Sequence, residues 1–284
     1  MKQNKENENR IDVDKAWDSL YSRLEKDRLL TEETDYSPRR KRIILTRWAA
    51  IVAAAVCAGF IFYIFNSPQK NNNSLVFLQN KDNSGALVIM LEDSSIVYLA
   101  SNASIFYPAV FEKNKRKVEL NGNALFCVTK DEKRPFVIET KENVMIEVVG
   151  TIFAVQSSSE NPFELSVKEG KVNVHSKVDK NVVPVEAGET VQLKTNVLSK
   201  SKTVNFHVFN YFTEKMCFKD EKLNNIVYAI NKMYGYPTVI ADESQNNRTL
   251  TVTFEDDSVE TMTELICIAL NLKQVNKQDT IFIR

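Results

Sequence analysis

The residues able to do covalent or metal chemistry are few and scattered. Four cysteines, Cys57, Cys127, Cys217 and Cys267, show no paired spacing. Two histidines, His175 and His207, stand away from any cysteine or carboxylate at metal-ligand spacing. The H-E-x-x-H, G-x-S-x-G and P-loop patterns are absent. An enzyme is therefore disfavoured, and no metal or cofactor is expected. The chemistry left to the chain is recognition. Val13, Trp17, Leu20, Tyr21 and Leu24 fall at i, i+4, i+7, i+8 and i+11, one face of a helix that Asp12 or Asp14 is suited to cap. A helix of this length is marginal alone in water, and its own segment offers the stripe nothing to bury against. Two occupants compete for it. It either folds into a groove of a protein partner or lies on a membrane surface, with Lys15, Arg23 and Lys26 toward the headgroups.

What positions that helix is the apolar stretch Trp48–Phe65, which holds neither charge nor proline. At about 1.5 Å rise per residue it spans roughly 27 Å, and Ile43–Leu45 extend it to a full hydrocarbon core while Arg47 snorkels. Arg39, Arg40, Lys41 and Arg42 precede it, whereas Asn66–Lys70 and an asparagine run follow. The lopsided basic collar predicts a single-pass anchor bounded by Trp48 and Phe65, with the N-terminus in the cytoplasm and everything after Phe65 across the membrane. A cleaved signal peptide would have a far shorter basic leader. A lipoprotein signal would need a small residue before Cys57, where Val56 stands. Lys+Arg and Asp+Glu both number 37, so no net field argues for nucleic acid, and the inner segment is too short for a DNA-binding domain. A Cys217–Cys267 bridge is conceivable in an oxidising compartment, against the alternative of free buried thiols.

Beyond the spacer the pattern turns to period 2. Val97/Leu99, Val118/Leu120, Phe126/Val128, Phe136/Ile138, Val144/Ile146/Val148, Phe153/Val155, Leu165/Val167, Val172/Val174 and Val191/Leu193 alternate with polar residues. Asn121-Gly122, Arg134-Pro135, Gly150, Glu169-Gly170 and Ala187-Gly188-Glu189 supply turns between them. An all-β domain over 75–200 follows, with sandwich, barrel and solenoid all open.

The order of residues within this domain resembles the FecR-type anti-sigma regulator. The likeness runs through Leu91-Glu92-Asp93-Ser94-Ser95-x-Val97-x-Leu99, Asn102, Ser104, Tyr107-Pro108 and Phe111. It continues in Arg116-Lys117-Val118-x-Leu120-x-Gly122-x-Ala124-x-Phe126-x-Val128, Arg134-Pro135-Phe136-Val137, Val148-Val149-Gly150-Thr151-x-Phe153-x-Val155, Val167-x-Glu169-Gly170-Lys171-Val172 and Ala187-Gly188-Glu189. Two positions depart from it: Ser94 stands where relatives usually carry glycine, and Ala187 where they carry proline. In some relatives a Gly-Thr pair at the place of Gly150-Thr151 cleaves itself, the threonine hydroxyl attacking the preceding carbonyl in an N-to-O acyl shift. The competing reading is a plain turn at Gly150 with Thr151 opening a strand.

The pattern changes again near Tyr211. Leu223, Ile226, Val227, Ile230 and Met233-Tyr234 carry helix spacing, ended by Gly235 and Pro237. Val239-Ile240 and Leu250–Phe254 read as strands. Val259, Met262, Leu265, Ile266, Ala269 and Leu270 form a second helix capped by Ser258, and Thr280–Arg284 closes the chain as a strand. This β-α-β-β-α-β order suits a small two-layer α/β domain. Phe218-Lys219-Asp220-Glu221-x-Leu223-x-x-Ile226 and the Leu250–Phe254 strand resemble the short N-terminal domain of secretins and TonB-dependent transporters, which in FecR-like proteins of Bacteroidetes commonly sits at the C-terminus.

The expected organisation is therefore a cytoplasmic segment 1–42, a transmembrane helix 43–65, a linker 66–74, a periplasmic all-β domain 75–200 and an α/β domain 211–284. The resemblances imply a signal transducer in the inner membrane. It would link the loaded state of an outer-membrane TonB-dependent transporter, through that transporter's signalling domain, to an extracytoplasmic-function sigma factor held by the stripe Val13, Trp17, Leu20, Tyr21 and Leu24. The rival is an anchored periplasmic binding or scaffold protein with no part in transcription.

Overall fold

In a computed structural model, residues 13–27, 59, 74–81, 85–158, 161–178, 180–234 and 239–284 of the chain are described. The chain divides into two compact units, Met1–Lys70 and Asn71–Arg284. Arg39, Arg40, Lys41, Arg42, Trp48 and Phe65, with the rest of the expected anchor apart from Gly59, lie outside the described residues. Among the described residues no helix is long and apolar enough to cross a membrane.

In the first unit, α1 (Val13–Lys26) forms where the 3.6-residue stripe lies. Asp14 in its first turn and Arg23 and Lys26 in its last complement the helix dipole.

The second unit begins with fourteen strands: β1 (Leu75–Gln79), β2 (Ala86–Met90), β3 (Ile96–Leu99), β4 (Ser104–Pro108), β5 (Arg116–Asn121), β6 (Ala124–Cys127), β7 (Phe136–Thr140), β8 (Val144–Val148), β9 (Ile152–Ser158), β10 (Asn161–Glu169), β11 (Lys171–Ser176), β12 (Val182–Glu186), β13 (Glu189–Lys194) and β14 (Val197–Lys202). After them come α2 (His207–Asn210), β15 (Lys215–Lys222), α3 (Leu223–Tyr234), β16 (Val239–Ala241), β17 (Thr249–Glu255), α4 (Val259–Leu270), β18 (Gln274–Lys277) and β19 (Thr280–Ile283).

Alternation decides the architecture. One sheet runs β1-β4-β5-β7-β8-β11-β12 and a second runs β14-β13-β10-β9-β6-β3-β2-β15-β17. The apolar positions that alternate along β3, β5 to β11 and β13 all turn to one shared core between the sheets, so the fold is a sandwich. Phe126 and Phe153 stack there at 5.4 Å between ring centroids, and the Phe136 ring meets Phe126 edge-on at 6.2 Å.

The second sheet is covered on its other face as well. Ala86, Val88, Ile96, Tyr98, Leu125 and Ala154 point away from the sandwich core into a second one, built with Phe209, Phe212 and the inner faces of α3 and α4. That is why Ile96-Val97-Tyr98-Leu99 is buried at every position rather than at every second one.

The C-terminal segment carries one strand more than its sequence pattern shows. β18 pairs antiparallel with β19, and β16 joins β19 in parallel, giving a three-stranded sheet in the order β16-β19-β18. β18 reads Gln-Val-Asn-Lys, and a single apolar residue gives no period to detect. Ser258 caps α4 by accepting from the Thr261 N–H at 3.2 Å. Leu265 and Ala269, placed by spacing on the apolar stripe, face outward instead.

The two departures from the family pattern find different local solutions. Ser94 adopts φ 63°, the left-handed conformation in which glycine is at ease. A serine there costs on the order of 1 kcal/mol. Ser94→Gly is expected to raise the unfolding free energy by about 0.5 kcal/mol, net of glycine's greater freedom when unfolded, read as a higher urea midpoint. Ala187 uses the N–H that proline lacks, donating to the Gly170 carbonyl at 3.1 Å.

Candidate binding surfaces

On α1 the five stripe residues come together on one face as their spacing requires, and no residue of the helix is buried. Trp17 is 58% exposed, Val13, Leu20 and Tyr21 are exposed too, and Leu24 is half-buried. Packing an indole that open to water against an apolar surface would be worth several kcal/mol.

In the second unit the geometry centres on a joint. β15, the first strand of the α/β module, pairs in parallel with β2 of the sandwich, Met216 opposite Ala86 and Cys217 opposite Leu87. The module therefore extends the sandwich's own sheet. Gly85 permits the approach. Its φ is +135°, and a Cβ built there would lie 2.6 Å from both the carbonyl oxygen and the Cγ of Lys215. Asn80, itself buried, donates through Nδ2 to the carbonyls of Gly85 at 2.8 Å and Leu99 at 2.9 Å, fixing the turn into β2. Lys215 pairs with Glu255 across β15 and β17 at 2.9 Å.

Among the described residues Arg116 is one of the largest to be fully buried. Its Nη1 donates to Asp93 Oδ2 at 2.7 Å and to the Thr129 carbonyl at 2.8 Å, its Nε to the Arg134 carbonyl at 2.8 Å, and its Nη2 to the Val149 carbonyl at 3.4 Å. Asp93 also accepts from the N–H and hydroxyl of Ser95. The guanidinium lies 5.4 Å from the Phe136 ring centroid. One cation thus ties the β2–β3 turn, the start of β5 and the 129–134 loop to the residue before Gly150.

Gly150 and Thr151 sit directly beyond that tie. A Cβ at Gly150 would lie 2.7 Å from Lys130 Cα, so the glycine admits a close crossing of two backbones. Thr151 is buried, and its hydroxyl donates to the Lys171 carbonyl at 3.0 Å. A carbonyl oxygen is a poor proton acceptor for activating a hydroxyl. An acyl shift here would need a base that this hydrogen bond does not supply.

Cys127, Cys217 and Cys267 are free thiols, so the conceivable Cys217–Cys267 bridge does not form. Instead the Thr253 hydroxyl donates to Cys217 Sγ at 3.4 Å. Burial pushes the Cys127 thiol up to about 11, which keeps it protonated and unreactive at neutral pH. His175 Nε2 lies 3.6 Å from Glu147 Oε2, beyond hydrogen-bond reach, and His207 opens α2. Among the described residues no group of three or more His, Cys, Asp or Glu side chains is arranged to hold a metal ion.

A sandwich whose sheet continues into an α/β module, in a chain that also carries a separate helix with an open apolar stripe, is built around contacts. The family profile described as FecR protein matches residues 81–173, and that described as FecR, C-terminal matches residues 215–283. The two together span more than half of the chain, which belongs to the FecR family. Two crystal structures of a candidate anti-sigma factor from Parabacteroides distasonis, at 2.50 and 1.65 Å resolution, are similar to it. Each is 20% identical, with a TM-score of 0.46, and the match covers 74% of this chain and 98% of the other. No curated protein matches the chain.

Proposed function

We propose that the chain is a single-pass anti-sigma regulator of the inner membrane. Residues 43–65 anchor it, and residues 1–42 lie in the cytoplasm, where α1 holds an extracytoplasmic-function sigma factor. The second unit lies in the periplasm and senses the state of a TonB-dependent outer-membrane transporter. Its C-terminal α/β module meets the transporter's signalling domain by adding strand to strand. The observation that carries the reading is the open stripe of α1, set on a compact unit of its own in a chain of the FecR family. A helix that gains its order from the partner has an affinity easily tuned, because the cost of folding is subtracted from the contact energy.

Retention of the sigma factor tests this. Full-length chain in inner-membrane vesicles is expected to hold it, and Trp17→Ala to weaken the hold by roughly tenfold or more, the loss of a central aromatic anchor. Equal retention by wild type and Trp17→Ala, or none by either, would remove the stripe as the sigma contact. Reporter fusions at Met1 and Arg284 are expected to report opposite sides of the membrane.

A further inference from the structure

Six strands end a sheet among the described residues: β1, β12, β14, β16, β17 and β18. Exposed edges invite pairing with another chain, and proteins guard them with charge, proline, bulges or short length. β12 carries Pro184 and Glu186, β14 carries Lys200 and Lys202, β17 ends in Glu255 and β18 in Lys277, while β16 is three residues long. β1 reads Leu-Val-Phe-Leu-Gln, with no charge, no proline and an unbroken register against β4. Its outer face is apolar as well. Leu75 is 74% and Phe77 50% exposed, and the Phe77 ring lies tilted against Phe106, itself 41% exposed, with 4.4 Å between centroids.

The hydrogen-bond phase says which backbone groups face the open side. The Ala109 N–H donates to the Ser74 carbonyl and the Asn80 N–H to the Ala103 carbonyl, each at 3.0 Å. With Phe77 opposite Phe106, the even-numbered residues of β1 therefore bond to β4. The N–H and C=O groups of Leu75, Phe77 and Gln79 point out from the edge. An antiparallel copy of β1 with its two-fold axis at Phe77 sets Leu75 against Gln79 and Phe77 against Phe77, each pair bearing outward groups on both strands. The same register places Val76 beside Leu78 on the core side, where Leu78 already packs. Self-matching of this kind is what a two-fold contact demands.

We propose that β1 pairs antiparallel with β1 of a second copy of this chain, continuing the seven-stranded sheet of one protomer into that of the other. The strand match stands on the geometry alone. A further support rests on the membrane reading above: β1 follows the anchor by only the 66–74 spacer, so copies confined to one bilayer present it at one height.

Disulfide trapping in the full-length chain, in its membrane and with Cys57 replaced by alanine, tests the register. Phe77→Cys is expected to give a cross-linked homodimer on mild oxidation. Leu75→Cys and Gln79→Cys are expected to cross-link when co-expressed and to do so at least tenfold less when each is expressed alone. Phe77→Lys, which opposes like charges at the axis, is expected to abolish the Leu75→Cys with Gln79→Cys product while the chain still unfolds in one cooperative transition, lowered by only the few degrees that losing the Phe106 ring contact costs. A monomeric Phe77→Cys chain, equal cross-linking of all three single variants, or adducts to another protein in place of the dimer would overturn the proposal. The sigma-retention assay is separate, so loss of that contact with the cross-link intact sinks the functional reading and not this one.

Discussion

Gly85→Ala is expected to destabilise the second unit by about 2–4 kcal/mol, lowering its melting temperature by roughly 5–12 °C. Two effects add. The φ of +135° strains any side chain, and the new methyl would press on the Lys215 backbone at 2.6 Å. The Lys215 side chain can swing aside, but its carbonyl cannot move without shifting β15. Gly188→Ala is the control, because Gly188 also has positive φ, at +79°, yet nothing stands within 4 Å of the added carbon. That variant is expected to show the backbone cost alone, about 1 kcal/mol. Thermal unfolding of both by circular dichroism separates strain from collision. Equal losses would mean that the joint between β2 and β15 is slack.

Asp93→Asn is expected to cost about 3–5 kcal/mol, read as a fall in the urea midpoint. The side chain of Arg116 is wholly buried, and that of Asp93 is 3% exposed. A guanidinium cannot shed its proton, so without Asp93 the cation stays buried with carbonyl dipoles alone to balance it. Arg116→Met is expected to be severe too, since several carbonyls lose their donor. The double variant is expected to recover part of the loss, with a coupling of about 1–3 kcal/mol. Burial also shields the pair from salt, so the Asp93→Asn deficit is expected to persist in 1 M NaCl, where the Debye length is about 3 Å. Additive losses would show that Arg116 acts as a packing element and not as the partner of a charge.

Much of this fold was legible in the sequence, because alternation encodes which side of a strand meets the core. The positions read that way, from Val97 to Val191, lie in the sandwich interior. Helix α1 and the Ser258 cap were legible for the same reason, a local chemistry written in nearby residues. Contacts made by the backbone left no trace. Arg116 belongs to a recognisable motif, yet its partners are carbonyls of Thr129, Arg134 and Val149, which any residue type supplies. The joint has a different signature. Val97 and Leu99 alternate toward one face, but Ile96 and Tyr98 make the run continuous, the mark of a strand covered on both sides. Edge strand β1 has apolar residues on both faces and so shows no period either.

The parallel seam between β2 and β15 has a mechanical meaning. A module joined by a loose tether can swivel and leave its neighbour undisturbed. One stitched into the same ladder and wedged over a second apolar interior has no such freedom. The C-terminal helices thus pack on a ladder that runs through β2 and β3 and ends at the turn where the buried cation sits. The second unit therefore holds its C-terminal module at a fixed elbow, with sandwich and module sharing one ladder.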